Sequence, residues 1–186
     1  MYENLRKVAW VNLVLASVKL VVFVCTWSLV ALYGSLHDFF DGANAILAIK
    51  LHRQGRERWT IIFNALLLLA GSLGVIGWSV YKLQTHVFFE PISWLLLLAG
   101  FFSLWGNSYN FFLIHGGQSR TESILSPHYL EDILDGFVLI VFGAASFWAS
   151  LPSWWDPAAA ITVAVIVAIF TVWRLFRMTK EADHHC

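Results

Sequence analysis

Six stretches of about twenty predominantly apolar residues occupy almost the whole chain, at about 8–30, 32–51, 60–81, 91–114, 120–149 and 155–176. A helix of that length crosses the hydrocarbon core of a bilayer. The runs are continuous and do not alternate with a period of two, which selects helices over a β-barrel. Composition agrees, because 59% of the 186 residues are hydrophobic and only 13% are charged, too few charges to cover a soluble domain. The expected fold is therefore an all-α integral membrane protein with six transmembrane helices in one domain, residues 1–178. A short cytoplasmic tail, 179–186, is expected to follow it. The apolar part of the fifth run begins only near His128, so either this helix starts earlier, near Ser119, or a site that uses His128 lies toward the cytoplasmic end.

Basic residues orient the chain. Arg6 and Lys7 precede the first run, Lys50, Arg53, Arg56 and Arg58 lie between the second and third, Arg120 between the fourth and fifth, and Arg174, Arg177 and Lys180 after the sixth. These all fall on one side, while the other side has Lys82, and Lys19 lies within the first run. The excess of Lys and Arg on cytoplasmic loops places both termini in the cytoplasm. A plasma or inner cell membrane is the expected location. The formal net charge is zero and no basic strip is laced with aromatic residues, so no nucleic-acid partner is expected. Cys25 and Cys186 form neither a disulfide framework nor a paired metal motif. No small-residue cleavage site follows the first run, which is expected to stay as a helix. Gly71, Gly74 and Gly77 recur in the third run at a spacing suited to close helix packing.

Ionisable residues inside the apolar runs carry the chemistry. The second run contains His37-Asp38-Phe39-Phe40-Asp41, and the fifth contains His128-Tyr129-Leu130-Glu131-Asp132-Ile133-Leu134-Asp135. Each holds a histidine and an aspartate four residues apart, on one helical face. Carboxylates are costly in a bilayer unless they meet a partner or an aqueous path. Two imidazoles and two carboxylates form a coherent four-ligand set, and zinc accepts both donor types in a tetrahedron. His37, Asp41, His128 and Asp132 are accordingly the expected metal site. Histidine also titrates near neutral pH, so metal and protons compete for the same groups. Asp38, Glu131 and Asp135 are candidates for the metal pathway or for helix contacts. Asn12 and Asn107 suit interhelical hydrogen bonds, as do Asn64 and Asn110, and Lys19 is placed to balance a nearby carboxylate. The terminal His184, His185 and Cys186 are weak accessory metal ligands.

Across nearly its whole length the chain resembles the cation diffusion facilitator family. The resemblance is carried by Asn12 and Lys19 in the first run, then Ser28-Leu29-Val30-Ala31-Leu32 leading to His37 and Asp41. His128 with Asp132, Asn107, and Trp155-Asp156-Pro157 at the start of the sixth run continue it in order. It implies a six-helix alternating-access transporter, generally a homodimer, that exports a divalent cation from the cytoplasm in exchange for protons. The two histidines and two aspartates resemble the zinc version of the transport site, with Cd2+, Co2+ or Mn2+ as alternative ions. Two departures stand out. Gly34 occupies a place where relatives often carry an acidic residue, with Asp38 nearby instead, and the connection before the third run, Arg53-Gln54-Gly55-Arg56-Glu57-Arg58, is short. The cytoplasmic metal-binding domain that the family commonly adds after the sixth helix is not expected here. A non-transporting membrane metal-binding or sensing protein would use the same four ligands. A membrane metallohydrolase would need an open metal position and a poised water, for which Glu131 is the available group.

Overall fold

In the computed structural model, residues 2–52, 57–87, 93–115, 120–149 and 151–183 are described. They form six helices: α1 (Tyr2–Thr26), α2 (Leu29–His52), α3 (Glu57–Thr85), α4 (Ser93–Ile114), α5 (Arg120–Ala149) and α6 (Trp155–Asp183). No β-strand occurs among the described residues. Four segments are long and apolar enough to cross a membrane: Glu3–Thr26, Ile62–Thr85, Asp132–Ala149 and Trp155–Trp173. The 24 residues of α2 and 22 of α4 are also of membrane length. Both carry polar side chains in mid-helix, His37, Asp38 and Asp41 on α2 and Asn107 and Asn110 on α4, all buried. Outward, the bundle presents Trp10, Val21, Leu66, Leu73, Phe101, Phe112, Phe147 and Ile169. An exterior of large apolar side chains around an interior that also buries charged and amide groups is unlike a soluble protein, and the chain is an integral multi-pass membrane bundle.

The helix order builds three closely packed pairs, α1 with α2, α4 with α5 and α3 with α6. Helix α2 also packs on α3, and α1 on α4, whereas α2 and α5 touch only sparsely. The α4–α5 contact depends on glycine. A Cβ on Gly136 would lie 2.6 Å from Leu104 N and 2.9 Å from Leu104 Cα, and one on Gly143 would lie 2.8 Å from Leu97 N. On α3 the expectation of glycine packing is corrected at two positions. A Cβ on Gly74 or Gly77 would meet nothing within 4 Å, and only one on Gly71 would touch a neighbour, Phe40. The buried face of α3 runs through Asn64, Leu68, Ser72, Val75, Ser79 and Lys82, a helical stripe that leaves Gly74 and Gly77 on the outer side.

The first two helices meet at a sharper and earlier break than the expected boundary of 30–32. Trp27 turns into the left-handed region at φ 54°. Ser28 then starts α2 as its N-cap, its Oγ accepting from Ala31 N at 3.3 Å. Asp156, from the first turn of α6, accepts from Leu29 N at 2.7 Å and from Ser28 Oγ. From α3, Lys82 Nζ donates to the Trp27 carbonyl at 3.0 Å. One carboxylate and one ammonium thus satisfy backbone groups that would otherwise be left open at two buried helix ends.

Two apolar clusters divide the interior. One gathers Val22, Leu29, Val30, Tyr33, Val75, Leu96, Leu139, Phe142 and Ala160. The other gathers Leu5, Val8, Ala9, Ala45, Ala48, Ile114 and Tyr129. Between these two sets α1, α2, α4 and α5 bury a band of polar residues: Asn12 and Lys19, then His37, Asp38 and Asp41, then Ser103, Asn107 and Asn110, then Asp132 and Asp135. The bundle therefore holds a polar layer with an apolar cluster on either side. A Gly136→Ala variant is expected to lose about 2 kcal/mol through overpacking against α4. The measurement is thermal unfolding in detergent micelles, where an unchanged transition would contradict the close α4–α5 approach.

Candidate metal centre

Helical periodicity puts His37 and Asp41 on the same face of α2, one turn apart. There they meet Asp132 of α5, and one ligand atom from each of the three residues lies within 4.8 Å of the others. His37 Nε2 is 2.9 Å from Asp132 Oδ1 and 3.2 Å from Asp41 Oδ2. All three side chains are buried. Asp132 is 12 residues into α5, about 18 Å along the helix, because that helix begins at Arg120. His37 is 8 residues into α2, about 12 Å from its start. The centre thus sits in the interior of both helices.

Two carboxylates facing one imidazole in a dry interior need a cation among them. A proton on the imidazole supplies one. A divalent ion bound by the same three atoms supplies another, and the two compete for one space. The donor set is nitrogen and oxygen without sulfur, which suits zinc and other divalent ions of intermediate or hard character. Cys25 is exposed on α1 and is not part of the cluster.

Neighbouring helices hold the ligands in place. From α3, Asn64 Nδ2 donates to Asp41 Oδ1 at 3.4 Å. From α4, Asn107 Nδ2 donates to the backbone carbonyl of Asp132 at 3.0 Å and to Ser103 Oγ at 3.3 Å. Asn12 Oδ1 accepts from Asn110 Nδ2, linking α1 to α4. Such outer partners orient ligands and tune their basicity.

Asp38 and Asp135 belong to a second charged group. Lys19 Nζ lies 3.0 Å from Asp38 Oδ2 and 2.9 Å from Asp135 Oδ2, tying α1 to α2 and α5. The lysine is 1% exposed. Space for it comes from Gly34, where a Cβ would lie 3.0 Å from Lys19 Cδ and 3.1 Å from its Nζ. The departure noted at Gly34 therefore has a steric counterpart in this chain.

His128 and Glu131 are on α5, but their side chains lie outside the described residues. The backbone puts His128 one turn from Asp132, toward the Arg120 end. His184, His185 and Cys186 also lie outside the described residues. Sequence reasoning gave Asn64 no place beside the metal ligands and did not single out Tyr129. The only signal for Asn64 was an amide inside an apolar run. Tyr129 is buried in the apolar cluster next to the polar layer, and no spacing in the sequence marks it.

No protein-family model and no curated protein matches the chain. The metal-centre reading thus rests on the geometry of these residues. Asp41→Asn and Asp132→Asn are each expected to weaken zinc binding by on the order of 100-fold, at least the upper range seen when an outer partner is lost. Calorimetric titration in detergent with circular dichroism on the same samples checks this. Near-wild-type affinity in both helical variants would remove these residues from the centre.

Proposed function

We propose that the protein is a divalent metal cation transporter that exports zinc from the cytoplasm in exchange for protons by alternating access. The observation that carries this reading is the buried His37–Asp41–Asp132 cluster, set between two apolar clusters in a membrane bundle. In this reading all six helices cross the membrane in a cation-diffusion-facilitator-like bundle. Both termini and the basic connections face the cytoplasm. His128 is the fourth ligand, completing a tetrahedron of two nitrogens and two oxygens.

The roles follow from charge. Asp41 and Asp132 supply the anionic oxygens that draw a divalent ion out of water, and His37 supplies a neutral ring nitrogen. When the ion leaves, the two carboxylates face an imidazole that takes a proton, so each state of the centre contains a cation. Lower pH therefore favours the protonated, metal-free centre and higher pH the metal-bound one. Alternating access requires each apolar cluster to open in turn, and sparse contact between α2 and α5 supports movement of these ligand-bearing helices relative to each other. Zinc is favoured by the donor set, with cadmium, cobalt and manganese as competitors. Homodimer formation follows from the family resemblance. No step here is catalytic, and the protein is read as a secondary active transporter.

Purified protein in liposomes, with a zinc indicator and a pH indicator trapped inside, tests the reading. Zinc entry is expected with proton movement in the opposite direction, and Asp41→Ala and Asp132→Ala are expected to abolish it. Unchanged metal movement in both variants would sink the transport site. Zinc flux that ignores an imposed pH gradient would remove the exchange with protons. Bound zinc that never crosses the bilayer would favour a non-transporting metal protein.

A further inference from the structure

The transport scheme leaves the buried Lys19 unused. Lys19 projects from α1 into the polar layer, and its ammonium contacts carboxylates from two other helices at 3.0 and 2.9 Å. Asp38 follows the ligand His37 directly, and Asp135 lies three residues beyond the ligand Asp132. Since Tyr129 packs with Ala45 and Leu139 packs with the start of α2, helices α2 and α5 run in opposite directions. On α5 the Lys19 contact is therefore nearer the α1–α2 turn than the ligand Asp132, while on α2 Asp38 lies between His37 and Asp41.

A carboxylate pair buried at this depth cannot stand empty, because two like charges in a medium of low dielectric repel strongly. It needs protons, an ammonium or a metal ion. Lysine ends in a compact point charge, so it can satisfy two carboxylates as a small cation does. The fit is built into the fold, for a Cβ on Gly34 would crowd Lys19 Cδ at 3.0 Å, Lys19 Nζ at 3.1 Å and Asp135 Oδ2 at 3.3 Å. Three residues on three helices and a glycine thus make room for one ammonium.

We propose that Lys19 is a resident cation that sets how many metal ions the bundle holds. Its ammonium keeps the Asp38–Asp135 pair closed to divalent ions, so that metal binds at His37, Asp41 and Asp132 alone. This inference rests on the reading of those three residues as a metal centre. Lys19 acts by charge and position, and it does not touch the transported ion.

The test counts zinc ions bound per chain by titrating the purified full chain in detergent with zinc chloride. Counts are compared with the wild type, so any zinc held by His184, His185 and Cys186 cancels. Lys19→Met is expected to bind one zinc ion more than the wild type, and adding Asp135→Asn to that variant is expected to remove the extra ion. Lys19→Met with a wild-type count would overturn the proposal, since the freed pair would then be taking protons. Asp135→Asn alone keeps Lys19 and is expected to retain both the wild-type count and an affinity close to wild type. A loss of about tenfold or more in that variant, the scale of a lost ligand-orienting partner, would mean that the pair already serves metal binding, and would also overturn the proposal. That second variant gives an answer even if Lys19→Met does not fold. A wild-type chain with no zinc ion that depends on Asp41 would instead defeat the metal centre itself, and this inference with it.

Discussion

Asp38, Asp41, Asp132 and Asp135 bring four carboxylates into the middle of a bundle whose exterior is hydrocarbon. Such charges cost several kcal/mol each unless cations are held beside them. The arrangement of the polar layer answers that requirement. One pair is joined by the Lys19 ammonium, and the other converges on His37, which can carry a proton or share a metal ion with them. The two groups are adjacent in sequence but differ in the permanence of their cation. A lysine is covalently fixed to α1, whereas a proton or metal ion is exchangeable.

This division gives meaning to the rest of the fold. Apolar clusters on either side of the polar layer keep water from weakening its electrostatic contacts. Close pairing of α4 with α5 through Gly136 and Gly143 fixes the helix that brings Asp132, while Asn107 ties its backbone to α4. At the α1–α2 turn, Asp156 and Lys82 connect α6 and α3 to the helix that brings His37 and Asp41. The ligands therefore arrive on two helices that are braced by different neighbours and touch each other only sparsely. Changing the cation between them is a direct way to alter how those helices fit together.

Much of this was legible from the residue pattern. Apolar runs of membrane length gave the six helices, and the four-residue spacing of His37 and Asp41 put both on one face. That Asp132 should meet them followed from the expense of leaving either set of charges alone in a membrane. The partner of Lys19 was less accessible, because its contact with Asp135 joins positions 116 residues apart. The break at Trp27 was also hidden within an apolar stretch, since the carboxylate that accepts from Leu29 N there comes from Asp156 on the last helix. Glycine spacing pointed to α3, yet spacing alone does not tell which face of a helix is buried. The close approaches at Gly136 and Gly143 on α5 depend on where α4 lies.

The central claim is that His37, Asp41 and Asp132 hold a divalent ion inside the membrane. X-ray absorption at the zinc edge, on protein reconstituted in bilayers with one equivalent of zinc, tests it most directly. The account predicts nitrogen and oxygen neighbours at about 2.0–2.2 Å with imidazole scattering behind them, and loss of that signal in Asp41→Asn. A sulfur shell at about 2.3 Å, or a hydrated ion with no imidazole, would contradict it.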